Sequence, residues 1–147
     1  MGVAKASPAT IWNTCFAPMK WESWDEDVVR LKDVSGPCKD GTKFLFVMKD
    51  GYEATTVLSN VKQDQRLTFS GSMMGGWTRF KGIIELIPDP DGQKQTKVDY
   101  TFEMSGMLGR IVNFVAKSKV VQGTEHGLQN IIRLSEAAER ACASSSS

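Results

Sequence analysis

Residues 77–104 contain two segments of period two joined by a turn. The first is Trp77-Thr78-Arg79-Phe80-Lys81-Gly82-Ile83-Ile84-Glu85-Leu86-Ile87, and the second is Thr96-Lys97-Val98-Asp99-Tyr100-Thr101-Phe102-Glu103-Met104. Between them stands Pro88-Asp89-Pro90-Asp91-Gly92, the clearest turn in the chain. Phe80, Ile84 and Leu86 share one side of the first segment, opposite Arg79, Lys81 and Glu85. In the second segment Val98, Tyr100, Phe102 and Met104 alternate with Lys97, Asp99, Thr101 and Glu103. This is the pattern of antiparallel strands with one buried and one solvated face.

The same pattern extends toward the N-terminus. Arg66 to Ser72 alternates Leu67 and Phe69 with Thr68 and Ser70. Glu53 to Lys62 is rich in Thr and Val. Lys43 to Met48 is strongly strand-like, and Asp50-Gly51 joins these two as a hairpin signal. Val28 to Val34 is a further strand, closed by Ser35-Gly36-Pro37. Before the strands, Ser7 is an N-cap and Pro8 occupies a first helical position, so a helix over Ala9 to Phe16 is expected. Trp21-Glu22-Ser23-Trp24-Asp25 follows as a short aromatic segment. After Ser105-Gly106 the pattern turns helical to about Ala143. A meander with a short helix before it and a long helix after it is an α+β arrangement. The long helix is the only element able to cover the apolar face.

The chain has 147 residues, enough for one domain with a sizeable core. We read residues 1–143 as that domain and the serines at 144–147 as a frayed tail. Eighteen basic and seventeen acidic residues leave a formal charge of +1 without a basic block, which argues against nucleic acid as a partner. No apolar run approaches the ~18 residues of a membrane span, and the first residues lack the apolar core of a secretory signal. The expected location is cytoplasmic. Cys15, Cys38 and Cys142 are odd in number and widely spaced, and the chain has one histidine. Neither a disulfide framework nor a metal site is expected.

The order of elements resembles the START-like (SRPBCC) superfamily and its helix-grip fold, in which a curved antiparallel sheet wraps around a long C-terminal helix. Ala6-Ser7-Pro8-Ala9-Thr10-Ile11-Trp12 is similar to the start of that superfamily's first helix. Trp21-Glu22-Ser23-Trp24-Asp25 is similar to its W-x-x-W segment, and the run ending Arg66-Leu67-Thr68-Phe69 to one of its strand pairs. Glu125 to Glu139 resembles its C-terminal helix end. One departure is that only Met1 to Lys5 precede Ala6, so the first strand is shortened.

The resemblance implies a pocket for a small hydrophobic ligand. Among its branches, the polyketide cyclase/dehydrase group implies aldol closure or lactonisation of a linear poly-carbonyl chain in secondary metabolism, without a cofactor. Two other readings are a non-catalytic lipid or metabolite carrier and a co-chaperone of the type that activates the Hsp90 ATPase. On the cyclase reading the candidate catalytic residues are Lys117, as base or enolate-stabilising cation, with Asn113 and Tyr100 as hydrogen-bond donors. Candidate ligand contacts are Trp24, Tyr52, Met73, Trp77, Phe80, Ile84, Phe102, Gly123 and Gly127. Mid-helix glycines cost about 1 kcal/mol each relative to alanine, so the last two suggest room left for a ligand or a close strand, or else a kink.

One question stays open at this level. The stripe Leu128, Ile131, Leu134 and Ala138 lies nearly opposite the stripe Leu108, Ile111, Val112 and Val115 on a continuous helix. Either the helix kinks near Gly123 or Gly127, or the stripe Leu108, Ile111, Val112 and Val115 faces outward and suits a homodimer. His126 points away from Ile131, toward the polar side with Gln122, Gln129 and Arg133, which makes it a surface residue on this reading.

Overall fold

The computed structural model describes residues 1–17, 19–49, 51–73, 76, 78–92, 94–105 and 124–142. Seven strands form one antiparallel, open, curved sheet in the order β1-β7-β6-β5-β4-β3-β2. They are β1 (Gly2–Ala4), β2 (Val28–Lys32), β3 (Lys43–Met48), β4 (Glu53–Lys62), β5 (Arg66–Met73), β6 (Thr78–Pro88) and β7 (Thr96–Ser105). From β2 to β7 each strand pairs with the next, as a meander requires. Helix α1 (Pro8–Ile11) precedes β2, and α2 is helical over 124–142. This is the expected α+β helix-grip arrangement, including the shortened first strand: β1 pairs with β7 only from Thr96 to Val98.

The alternation read along β6 and β7 is present in space. Thr78, Phe80, Gly82, Ile84 and Leu86 are buried, whereas Arg79, Lys81 and Glu85 are exposed. Val98 and Tyr100 are buried opposite exposed Lys97 and Thr101. Phe80 stands opposite Met104, and Ile84 opposite Tyr100. The inner faces of β3, β4 and β5 add Phe44, Phe46, Ala54, Leu58, Leu67 and Phe69 to one continuous core.

Helix α1 starts as its sequence predicts. Ser7 is the N-cap, and its Oγ accepts the Thr10 N–H at 3.2 Å. The regular helix is shorter than expected, because Trp12–Phe16 forms a π-helical turn in which the Ala17 N–H reaches the Trp12 carbonyl at 2.9 Å. The widened turn keeps Ile11, Trp12, Cys15 and Phe16 all buried.

The α2 residues Gly127, Leu128, Ile131, Ser135 and Glu139 are buried. The expected stripe is thus shifted, since Leu134 and Ala138 are only half-buried. The reason is that the C-terminal half of α2 packs against α1 and the π turn that follows it, and these offer polar partners. Ser135 Oγ lies 3.7 Å from Cys15 Sγ, and Glu139 Oε1 accepts from Ser7 N at 3.0 Å and Thr10 Oγ1 at 3.3 Å. His126 is on the surface as expected, its side chain 63% exposed and its Nδ1 3.5 Å from Glu26 Oε2. The stripe Leu108, Ile111, Val112 and Val115 lies outside the described residues, as does the kink expected near Gly123. The second kink position, Gly127, is within α2.

Candidate functional site

Between the sheet and α2 lies a cavity of about 180 Å³. Its floor is aromatic: Phe46 on β3, Phe69 on β5, Phe80 on β6, and Tyr100 and Phe102 on β7. These are inward positions of neighbouring strands, so their rings meet across the sheet. Phe80 and Phe102 stack with centroids 6.1 Å apart, and Phe69 and Tyr100 stack at 6.3 Å. Met48, Met73 and Met104 complete much of the apolar wall, with Met104 half-buried. Flexible thioethers beside rigid rings suit an apolar guest of variable outline.

One end of this cavity is polar. Asp25 and Asp27, from the segment before β2, and Thr124 of α2 line it with Tyr100. A short 3₁₀ turn, Trp21–Ser23, turns the chain into this segment, and its Trp21 carbonyl accepts both the Trp24 and Asp25 N–H groups. The Trp24 indole N–H donates to the Cys15 carbonyl at 3.2 Å, and Asn130 Nδ2 donates to the Trp24 carbonyl at 3.0 Å. The segment is therefore fastened on one side to the π turn and on the other to α2. Asp25 Oδ1 in turn accepts the Asp27 N–H at 3.0 Å, an Asx turn that holds the carboxylate in place.

Burial raises the Asp25 carboxyl to about 6, and the negative charges of Asp27 and Glu26 push the same way, against the Asp27 N–H and Lys49. Burial also drives the Tyr100 phenol upward, with further upward pushes from Asp25 and Asp27. Tyr100 thus stays a neutral donor at physiological pH, while Asp25 is mostly ionised and more basic than an ordinary aspartate. Tyr100 is 9% exposed. A carboxylate base beside a phenol donor, at the end of an apolar cavity, can remove a proton from carbon and stabilise the enolate formed.

The structure sorts the expected site residues. Tyr100, Met73, Phe80 and Phe102 line the cavity. Trp24 and Ile84 are buried beside it in the core rather than lining it, and Trp24 packs edge-on against Tyr100 at 6.0 Å. Gly127 faces Trp24: a β-carbon there would lie 3.5 Å from the indole, so the room at this glycine is filled by tryptophan. Tyr52 is 49% exposed in the connection between β3 and β4. Trp77, Asn113, Lys117 and Gly123 lie outside the described residues. The sequence reading missed Asp25 and Asp27, although three acidic residues directly after two tryptophans were a visible signal.

A family model described as "Polyketide cyclase / dehydrase and lipid transport" matches residues 3–136, nearly the whole chain. No curated protein matches significantly. Similar solved structures include a hypothetical protein of Helicobacter pylori, with a TM-score of 0.76 at 12% identity, covering 91% of this chain and 84% of that one. Protein CV1439 of Chromobacterium violaceum gives 0.64 at 15% identity, with 92% and 93% covered. The protein Ara h 8.0201 gives 0.59 at 14% identity, with 90% and 94% covered. At such identities these likenesses speak for the fold.

Proposed function

The chain belongs to the polyketide cyclase / dehydrase and lipid transport family, and on that premise we propose that it holds a small oxygenated hydrophobic molecule in this cavity and closes a ring on it without a cofactor. The observation that carries the reading is the pairing of Asp25 and Tyr100 at the polar end of an otherwise apolar, aromatic-floored cavity.

In this mechanism the Asp25 carboxylate removes a proton from a CH₂ between two carbonyls. Tyr100 donates a hydrogen bond to the enolate oxygen. The enolate carbon attacks a second carbonyl of the same chain, forming the new C–C bond. The resulting alkoxide takes the proton back from the Asp25 carboxylic acid, and the aldol is complete with the carboxylate restored. The aromatic floor supplies the folded, near-attack shape of the chain. Asp25 takes here the base role that the sequence suggested for Lys117.

The cavity's size favours a small guest. A cavity of roughly 150 Å³ holds one benzene ring, so about 180 Å³ suits a single ring or one end of a longer chain. A homodimer fits the same picture: among the described residues no strand lies beside β7 beyond Val98, and a second copy would cover that edge. Sedimentation at tens of micromolar tests it, and a monomer there excludes it.

The decisive test of the chemistry is incubation with a linear diketo-thioester, following the product by absorbance and mass. Turnover that falls at least a hundredfold in Asp25→Asn supports the cyclase. Tight binding of the same compound without conversion favours the carrier reading.

A further inference from the structure

The polar end of the cavity has a sign. Among the described residues, its lining carries two carboxylates, Asp25 and Asp27, and no lysine, arginine or histidine. Lys49, whose field reaches Asp25, is not part of the lining. From α2, Thr124 lines this end, and His126 stands outside it against Glu26. Another polar group of the lining is the hydroxyl of Tyr100, a residue 9% exposed. The hydroxyl can donate to a ligand oxygen, and the carboxylates beside it repel a ligand that arrives with a negative charge.

We infer that the cavity is a charge filter: it takes uncharged, carbonyl-bearing apolar ligands such as esters, thioesters and ketones, and rejects the corresponding free carboxylic acids. The inference rests on the ligand-binding reading above and narrows it. It excludes free fatty acids as cargo, and it places this protein on a poly-carbonyl chain still esterified rather than already hydrolysed. The physical basis is like-charge repulsion in a partly desolvated site, where close juxtaposition of two negative charges is strongly unfavourable. Dehydration of a carboxylate would disfavour the acid in any apolar cavity. The test must separate that general effect from the effect of Asp25 and Asp27.

The measurement is calorimetric binding of methyl 3-phenylpropanoate and of 3-phenylpropanoate at pH 7.5, each also used to displace a neutral fluorescent naphthylamine. The ester is expected to bind at least thirtyfold tighter than the acid. In the doubly substituted protein, Asp25→Asn with Asp27→Asn, the ratio should fall to within about fivefold through a gain in acid binding. Asparagine Oδ1 can still accept the N–H of residue 27, so the turn has a route to survive. If the double variant folds poorly, Asp27→Asn alone, at an exposed position, should move the ratio the same way by a smaller factor. A wild-type ratio near one overturns the inference and points to a cation such as Lys117 at that end. A large ratio that persists in both variants also overturns it, since dehydration alone then explains the preference. If neither ligand binds nor displaces the probe, the ligand-binding reading falls and takes the inference with it.

Discussion

Phe69 lies across Gly82, its partner on the next strand: a β-carbon at position 82 would run into the Phe69 ring. The bare glycine lets this ring lie flat on the sheet, where it also meets Tyr100, Phe80 and Phe102 at centroid distances of 6.2–6.4 Å. The ring at the centre of the cavity floor is thus positioned by the absence of a side chain opposite it. Gly82→Ala should lift it into the cavity. Overpacking of this kind costs about 1–3 kcal/mol. The expected result is a lower denaturant midpoint with at least fivefold weaker binding of a neutral naphthylamine probe. Unchanged probe affinity would show that Phe69 is not part of the ligand's contact surface.

Gly127 tests the helix side. A β-carbon there would meet Trp24 at 3.5 Å, an ordinary contact distance. Gly127→Ala should therefore gain up to about 1 kcal/mol from helix propensity. Gly127→Leu should lose about 1–3 kcal/mol by overpacking against the buried indole. Chemical denaturation of the two variants gives opposite signs if this packing is right. A neutral leucine variant would mean that open space, rather than Trp24, lies beside the helix.

These two glycines mark what the sequence made legible and what it did not. Period two along Val98, Tyr100, Phe102 and Met104 predicted the inward face of β7, and with it one end of the Asp25–Tyr100 pair. Ser7 and Pro8 predicted where α1 starts. Asp25 was not legible, because its segment is irregular and its placement depends on contacts distant in sequence. The bond from Trp24 Nε1 to the Cys15 carbonyl and that from Asn130 to the Trp24 carbonyl bring it to the cavity. The polar character of Ser135 and Glu139 on the buried side of α2 was hidden for the same reason, since only the docked α1 explains it.

The Asp25 carboxyl gives a pH prediction with a definite sign. Its pKa is raised from 3.8 to about 6 on folding, so the folded state favours its protonated form. This group therefore lowers stability progressively as pH rises from about 4 through 6, and the penalty is complete above that. Asp25→Asn removes it. The variant should gain stability relative to wild type at pH 7.5, by at most about 3 kcal/mol for a shift near two units, and by only about a third of that at pH 4.5, where the penalty has just begun. Urea titrations at both pH values measure the difference. An equal effect at both would mean that burial does not perturb Asp25. The cyclisation rate should rise across the same interval as the base ionises.

Glu139 supplies the last prediction, and it concerns the frame rather than the cavity. In a capping box, a carboxylate three residues into a helix reaches back to the N-cap N–H. Here that position is Thr10, which is too short to do so. Glu139 of α2 supplies the acceptor instead, taking the Ser7 N–H at 3.0 Å and the Thr10 hydroxyl at 3.3 Å, with Lys94 Nζ 3.7 Å from its other oxygen. The carboxylate is largely buried and also faces the positive end of α1, so its removal leaves two donors without their acceptor. Glu139→Ala should cost about 1–3 kcal/mol. Glu139→Gln keeps an acceptor and should cost less. Because the clamp lies away from the cavity lining, both variants should bind the neutral probe as wild type does under native conditions. Urea denaturation combined with probe titration reads both outcomes. A Glu139→Ala protein as stable as wild type would mean that water replaces the clamp at no cost, and that α1 is held by its apolar residues alone.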